Sequence, residues 1–199
     1  EKLAFEHGIV LLEPAYKKYY LHLGEISSYP QGYKENGSVF CHTNPWIMIA
    51  ETMIGRGDQA FDYYLRINPS KREEISELHR CEPYVYAQMI AGKEARKPGE
   101  AKNSWLTGTA SWNYVAVTQF ILGIRPSFDG LQIAPVVPTN WKGFSVTREF
   151  RGKIFNITVE RIGSGNSVTL EVDGTPIEGN VVTGFENKDQ PITVKVFLQ

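Results

Sequence analysis

Hydrophobic and polar residues follow two different periods along the chain, and the change falls between Gly123 and Gly130. Before it, apolar residues recur at helical spacing, as in "NPWIMIAETM" and "QAFDYYLRI". After it, apolar and polar residues alternate one by one, which is typical of strands with one buried face. The pattern therefore predicts a helical part followed by a β-domain of about 70 residues.

Start and stop signals divide the helical part into five predicted helices. Asn44 before Pro45 is a favoured helix start, and Asp58 can cap the second helix. Ser70 and Glu73 have the spacing of a capping box for the third helix. The polar stretch "KEARKPGEAKN" is predicted to be an exposed loop between the last two helices. The segments are "NPWIMIAETMI" before Gly55 and Gly57, "QAFDYYLRI" before Asn68-Pro69, "KREEISEL", "YVYAQMIAG" between Pro83 and Gly92, and "TASWNYVAVTQFILG" before Pro126.

Four alternating segments predict the strands of the β-domain. They are "FSVTREF", "KIFNITVERI", "SVTLEVDG" and "PITVKVFL". Arg151-Gly152, "GSGN" and Asp173-Gly174 separate them and have the composition of tight turns. This half is predicted to form a small antiparallel β-sandwich of jelly-roll type.

The order of these elements predicts an α + β multidomain fold. Successive antiparallel helices with long connections fit the end of an (α/α)6 barrel over residues 1–125, followed by the β-sandwich over residues 126–199. A complete barrel of this kind needs about twelve helices, and the chain offers about five. The chain also begins with Glu1, inside a stretch that already looks structured. We therefore expect it to be part of a larger protein.

Composition and charge argue against several classes of function. The 199 residues carry a net charge of −1 without a basic block, which argues against nucleic-acid binding. No apolar run is long enough to span a membrane, and no signal peptide opens the sequence. Cys41 and Cys81 are too few for a disulfide framework in a chain of this size. These features predict a cytoplasmic protein.

Two predicted helix starts carry groups that could bind an anion. Thr107-Gly108-Thr109 precedes the strongest predicted helix, and its backbone N–H groups and hydroxyls could hold an anion at the helix N-terminus. The alternative is plain capping of the helix by Thr109 or Ser111. His42 lies two residues before Asn44, where it could donate to an anion or simply bond the loop backbone. If the two starts converge, they would form one phosphate or sulfate site.

The turn "GYKENG" is a candidate for binding sugar hydroxyls. Lys34 and Glu35 place an ammonium beside a carboxylate, although a solvated turn is the alternative. The same region is rich in aromatic side chains, which can cover sugar faces or pack in the core. These are Tyr29, Tyr33, Trp46, Trp105 and Trp112.

Two further kinds of site find little support in the spacing. Cys41-His42 and His79-Arg80-Cys81 match no common zinc pattern, so we predict no metal site. Glycoside hydrolysis usually needs a pair of catalytic carboxylates. Nothing in the spacing selects such a pair from the candidates Glu25, Glu35, Glu51, Glu77 and Glu82.

Four motifs resemble the C-terminal portion of the inverting disaccharide phosphorylases of glycoside hydrolase family 94. They are "YPQGYKENGSVFCHTNPW", "HRCEPYVYAQMIAG", "GEAKNSWLTGTASWN" and "ILGIRP", in the order of the family and across nearly the whole chain. The resemblance implies an (α/α)6 barrel with the active site, a C-terminal β-domain and a homodimer. It also implies cleavage of a β-linked disaccharide by inorganic phosphate, which is a substrate, without a metal or organic cofactor.

The resemblance assigns roles to seven residues. His42, Thr107 and Gly108 match phosphate-binding positions of the family, and Lys34, Glu35 and Gln88 match sugar-contacting positions. Tyr29 falls where the cellobiose enzymes have a Tyr and the chitobiose enzyme has a smaller aliphatic residue, which favours an unsubstituted glucose acceptor. The family's general-acid Asp and a phosphate-binding Arg lie upstream, so this chain is expected to be inactive without the missing N-terminal portion.

The best interpretation is therefore part of a phosphorylase that converts cellobiose to α-glucose 1-phosphate and glucose. Phosphate is already an anionic nucleophile, which explains why one carboxylic acid suffices and no second carboxylate stands out. Laminaribiose, chitobiose and cellodextrin phosphorylases are the alternatives within the family. An α/α-barrel hydrolase and a non-catalytic carbohydrate-binding fragment are the alternatives outside it.

Overall fold

A computed structural model describes residues 2–199. The chain forms two compact units. The first comprises Glu1–Met48 and Ala60–Tyr114, and the second comprises Ile49–Gln59 and Val115–Gln199. No helix among the described residues combines the length and the apolar character that crossing a membrane requires.

The first unit begins with short strands and irregular structure. β1 (Ala4–Phe5) pairs antiparallel with β2 (Gly8–Ile9), and a kinked 3-10 segment covers Leu21–Ser28. β3 (Val39–Phe40) leads through a 3-10 turn, Cys41–Thr43, into α1 (Asn44–Met53). Along the chain follow α2 (Gly57–Ile67), a 3-10 helix (Pro69–Ile75) and α3 (Ser76–His79), and residues 49–59, which include the end of α1 and the start of α2, are counted with the second unit.

The predicted helix after Pro83 is wrong, because the structure has a strand there. β4 (Ala87–Ile90) lies between β3 and β5 (Ala101–Ser104) in an antiparallel sheet. The strand has only four residues, and the type of so short a segment is decided by its pairing with β3 and β5. β5 also takes the end of the stretch predicted to be an exposed loop, where Glu100 and Ala101 are buried.

Two predicted helix caps are used differently in the structure. The Asn44 side chain is buried and pairs with the Ile9 backbone, accepting from its N–H at 2.8 Å and donating to its C=O at 3.1 Å. Asn44 is therefore hydrogen-bonded to β2 and does not cap α1. Asn68 rather than Ser70 caps the next segment, since its carboxamide oxygen accepts from the Ser70 N–H at 3.0 Å.

The strongest predicted helix is present but changes type along its length. α4 (Thr109–Val115) is α-helical, and it continues as a π-helix over Ala116–Ile121. The wider winding appears in the 2.8 Å hydrogen bond from Leu122 N–H to the Val117 carbonyl. Gly123, with a φ of 67°, ends the segment where the sequence predicted.

The second unit contains two sheets, and the larger one confirms the four predicted strands. The smaller sheet has the order β12-β7-β6. Its strands are β6 (Ile124–Pro126), β7 (Leu131–Ile133) and β12 (Val181–Val182), which lies between β11 and β13 in the sequence. The larger sheet has the order β11-β10-β13-β9-β8. Its strands are β8 (Gly143–Phe150), β9 (Lys153–Arg161), β10 (Val168–Val172), β11 (Thr175–Ile177) and β13 (Ile192–Leu198).

The turns of the larger sheet form where they were predicted. Arg151-Gly152 and Asp173-Gly174 have positive φ at both residues, which matches the twist of a two-residue hairpin. The sheet departs from the antiparallel prediction at one place, because β9 and β13 pair in parallel. Phe155 and Phe185 lie in the core of this unit with ring centroids 5.1 Å apart.

Candidate functional site

The loop from Tyr29 to Asn36 is held by the side chain of Asn36, which is fully buried. Its oxygen accepts from the Tyr16 N–H at 2.7 Å, and its amide donates to the carbonyls of Tyr16 and Tyr29 at 2.9 and 2.7 Å. Lys34 adopts a left-handed φ of 50° in the same turn. A buried amide with all of these bonds fixes the loop, so the side chains of Lys34 and Glu35 project from a rigid turn.

The Tyr29 hydroxyl donates to Oε1 of Glu25 at 2.6 Å. This hydrogen bond, and to a smaller extent desolvation and the charges of Glu25 and Glu35, raises the pKa of Tyr29 to about 12. Tyr29 also lines a cavity of about 340 Å³, a volume within the range of ligand pockets. Glu25, Tyr29 and Glu35 thus form one polar group, of which Tyr29 lines this cavity.

Lys34 and Gln88 meet although 54 positions separate them in the sequence. The Lys34 ammonium donates to the side-chain oxygen of Gln88, which also accepts from Nδ2 of Asn103 at 2.9 Å. Oε2 of Glu35 is buried and has no hydrogen-bond partner among the described residues. A buried carboxylate oxygen without a partner is costly, so it is suited to accept from a ligand hydroxyl.

His42 is held by aromatic rings and lies at the start of α1. Its ring centroid is 4.9 Å from Phe40 and 5.9 Å from Trp46, both edge to face. Trp46 in turn meets Trp112 at 5.6 Å, and Cδ1 of Trp112 lies 4.0 Å from the position that a Cβ on Gly108 would take. A continuous chain of edge-to-face ring contacts therefore connects the two helix starts at which the sequence offers an anion site.

The Thr107 hydroxyl takes part in the start of α4. Its oxygen accepts from the Thr109 N–H at 3.2 Å and lies 2.6 Å from the Thr109 hydroxyl. Capping is thus carried by Thr107 and not by Thr109 or Ser111. If Thr109 donates in the hydroxyl pair, the Thr107 O–H remains able to donate to an anion, so capping and anion binding are compatible.

A buried guanidinium lies in the same unit and is surrounded by neutral acceptors. Arg72 donates to Nδ1 of His79 at 2.8 Å and to the Arg66 carbonyl at 2.8 Å. Its NH2 group lies 3.2 Å from Nδ1 of His7 and 3.3 Å from the Gly99 carbonyl. Burial, and then the charge of Arg72, lowers the pKa of His79 to about 4 and lowers that of His7 as well.

The cysteines and histidines considered for zinc have other surroundings. His79 is occupied by Arg72, and burial raises the pKa of the Cys41 thiol to about 12. Among residues 2–199, no group of three or more His, Cys, Asp or Glu side chains is arranged to hold a metal ion. Both cysteines are free thiols.

Sequence reasoning missed two residues that contact the predicted sugar-binding side chains, Glu25 and Asn103. Glu25 was considered only as one of five carboxylates, and its contact with Tyr29 joins two residues four positions apart across the end of a 3-10 segment. Asn103 was assigned to an exposed loop, and its contact with Gln88 depends on the pairing of β4 with β5. The helical prediction for Gln88 concealed this second contact, whereas the strand alternation of residues 84–90 could have revealed it.

Comparison with protein families divides the chain into two parts. Residues 1–123 match the family described as "Glycosyl hydrolase 94 superfamily, catalytic domain". Residues 124–179 match the one described as "Glycosyl hydrolase family 65, C-terminal domain".

Comparison with curated proteins finds disaccharide phosphorylases. An N,N'-diacetylchitobiose phosphorylase of Vibrio proteolyticus is 39% identical over 98% of this chain and 24% of the relative. The enzyme of the same name from Vibrio furnissii is 40% identical over 92% of this chain and 22% of the relative. A solabiose phosphorylase of Paenibacillus borealis is 35% identical over 92% of this chain and 24% of the relative. The chain spans about a quarter of the length of these relatives.

Proposed function

Because the chain belongs to the glycosyl hydrolase 94 superfamily, we propose that it forms part of an inverting disaccharide phosphorylase. The complete enzyme cleaves a β-linked disaccharide with inorganic phosphate and releases an α-sugar 1-phosphate and a free sugar. The observation that carries this proposal is the chain of edge-to-face ring contacts His42–Trp46–Trp112, which joins the start of α1 to the Thr107-Gly108 segment. Two anion-binding candidates from distant parts of the sequence thereby belong to one cluster.

Phosphate binds to His42, Thr107 and Gly108 in this proposal. Within residues 2–199 the imidazole of His42 makes ring contacts, which leave its nitrogens available to a ligand. The Thr107 hydroxyl and the Gly108 backbone N–H add donors that suit phosphate oxygens. Trp46 and Trp112 hold these donors in position, and their bulk restricts water around the bound anion.

The sugar released as the free product binds to the polar group around the Tyr29–Asn36 loop. Glu35 accepts from a sugar hydroxyl through its buried, unpartnered oxygen, while Lys34 and Gln88 supply donors. Tyr29, hydrogen-bonded to Glu25, occupies space beside the acceptor. Its bulk favours an acceptor without an N-acetyl group, so we propose glucose as the acceptor and cellobiose as the substrate.

The reaction balances without an oxidant, a metal or an organic cofactor. A phosphate oxygen attacks the anomeric carbon from the face opposite the leaving sugar, and the glycosidic C–O bond breaks with inversion. The leaving oxygen takes its proton from a carboxylic acid, which we place upstream of this chain. The residues described here hold the nucleophile and the leaving sugar at a fixed separation, which is an orientation effect.

The wider architecture is part of the same proposal. Residues 1–125 complete an (α/α)6 barrel with the N-terminal portion of the enzyme, and residues 126–199 form its C-terminal β-domain. The enzyme acts in the cytoplasm as a homodimer, as the resemblance to the family implies. Size-exclusion chromatography with light scattering tests the dimer, and a monomeric active enzyme would contradict it.

Parallel assays of the full-length protein test the function. We expect cellobiose to be consumed only when phosphate is present, with α-glucose 1-phosphate as a product. Cleavage without phosphate that yields only glucose would indicate a hydrolase instead. His42→Ala is expected to raise the phosphate KM about tenfold to a hundredfold, the effect of losing a hydrogen bond to a charged group. Exposed His22→Ala is the matched control, and unchanged phosphate kinetics in His42→Ala would refute the role of His42.

N,N'-diacetylchitobiose is a second candidate substrate, because two similar relatives are phosphorylases of that disaccharide. The two candidates differ at the acceptor, where an N-acetyl group needs space near Tyr29. Phosphorolysis of both disaccharides, and of laminaribiose, by wild type and Tyr29→Val separates them. If wild type prefers cellobiose and Tyr29→Val gains activity on diacetylchitobiose, the glucose acceptor is supported. Wild-type preference for diacetylchitobiose would overturn it.

A further inference from the structure

Gln88 and Asn103 face each other across two strands. The pairs Ala87–Ser104 and Met89–Lys102 of the β4–β5 ladder flank them on either side. Residues directly opposite in an antiparallel pair have side chains on the same face and within contact distance. The 2.9 Å hydrogen bond from Nδ2 of Asn103 to Oε1 of Gln88 is the result.

The orientation of the Gln88 amide follows from its two neighbours. The Lys34 ammonium has only donors, so the atom that faces it must be the oxygen of Gln88. The Asn103 amide donates to the same oxygen, which occupies both of its lone pairs. Within residues 2–199, Nε2 of Gln88 has no hydrogen-bond partner, so its two N–H donors are left for a ligand.

The backbone at Asn103 supports this arrangement. Asn103 has a φ of 56°, in the left-handed region, and Trp105 two residues later has a φ of 69°. Asn is among the few residues other than Gly that adopt this conformation readily. Two left-handed non-glycine residues close together store backbone strain, which concentrates at functional sites. Asn103 thus satisfies the backbone requirement and supplies a donor directed at Gln88.

From this geometry we propose that Asn103 is a positioning residue for sugar recognition. It holds the oxygen of Gln88 in place together with Lys34, so that the Gln88 N–H groups point at a hydroxyl oxygen of the substrate. The inference rests on the proposed sugar contact of Gln88, and it adds Asn103 as the residue that fixes the orientation of the Gln88 amide. Without Asn103, one donor remains on the Gln88 oxygen and the amide is free to rotate.

Steady-state phosphorolysis by the full-length enzyme tests the role of Asn103. Asn103→Gly keeps the left-handed backbone accessible and removes the donor, so kcat/KM for the disaccharide is expected to fall about tenfold. The phosphate KM is expected to stay within about twofold, because the phosphate donors are separate groups. Asn103→Asp replaces the donor with an acceptor that attracts Lys34 and reverses the Gln88 amide, so we expect a loss of about a hundredfold. Lys102→Gln, on the other face of β5, is the control with expected wild-type kinetics.

A double-mutant cycle with Gln88→Ala distinguishes positioning from a general structural effect. Once Gln88 is absent, Asn103→Gly should change kcat/KM by less than about twofold. The inference is wrong if the losses in kcat/KM of Asn103→Gly and Gln88→Ala multiply in the double variant. It is also wrong if Asn103→Gly raises the phosphate KM as much as it lowers kcat/KM for the disaccharide. Either result leaves the proposed function intact. Wild-type kinetics in Gln88→Ala would instead remove the proposed sugar contact, and this inference with it.

Discussion

The buried contact between Arg72 and His79 leads to a prediction about stability in acid. His79 is 3% exposed, and its Nδ1 accepts from Nε of Arg72, so protonation of the ring would replace a hydrogen bond with two adjacent positive charges. Burial is the largest cause of its lowered pKa, about 4 against an ordinary 6.5, and the charges of Arg72 and His7 act in the same direction. The native state therefore resists a proton that the unfolded chain accepts.

The difference between the pKa of His79 in the native and in the unfolded state sets how the free energy of unfolding changes with pH. Above pH 6.5 His79 is neutral in both states and the full stability is present. Between pH 6.5 and about 4 the unfolded state binds the proton and the native state does not, so the free energy of unfolding falls. At about 1.4 kcal/mol per pH unit, His79 accounts for a loss of about 3 kcal/mol across this window. His7, whose pKa is lowered by burial and by Arg72, adds to the loss.

His79→Asn isolates this contribution. The Asn oxygen takes the place of Nδ1 and still accepts from Arg72, but it does not titrate. Urea unfolding of wild type and variant, followed by tryptophan fluorescence from pH 7.5 to 4, gives the two stability curves. We expect the difference between them to change by about 3 kcal/mol in favour of the variant as the pH falls. Exposed His22→Asn serves as the control, and a parallel course of the wild-type and His79→Asn curves would refute the reasoning.

Three further substitutions have expected outcomes. Asn36→Ala removes three hydrogen bonds to backbone groups, so the free energy of unfolding should fall by about 2–4 kcal/mol. An unchanged sugar KM in the full-length enzyme would contradict the proposed role of this loop in acceptor binding. Gly92→Ala would place a Cβ 1.9 Å from the Gly37 carbonyl oxygen, so we expect the free energy of unfolding in urea to fall by at least about 2 kcal/mol. An unchanged free energy would mean that the backbone moves to accept the methyl group. Phe185→Ala removes the fully buried ring beside Phe155 and should lower the free energy of unfolding of the second unit by about 3–5 kcal/mol. Thermal unfolding measures the loss, with Phe128→Ala at an exposed phenylalanine as the control.

Much of the second unit could be predicted from sequence because its signals are local. Alternation along β8, β9, β10 and β13 shows which residues face the core, and Arg151-Gly152 and Asp173-Gly174 permit the positive φ of tight hairpins. The parallel pairing of β9 with β13 could not be predicted in this way. Pairing between strands far apart in the sequence depends on the whole topology and leaves no local pattern.

The sequence by itself determined the family, through motifs whose residues are contiguous. It also predicted ligand contacts at His42, Lys34, Glu35, Gln88, Thr107 and Gly108. Only the tertiary structure decided how these residues are held. The strand at residues 87–90 places Gln88 opposite Asn103, and the tryptophans join His42 to Gly108. Residue type and helical or strand periodicity depend on neighbours within a few positions. Side-chain contacts across strands and between helix starts depend on burial and pairing over tens of positions, which only the folded chain establishes.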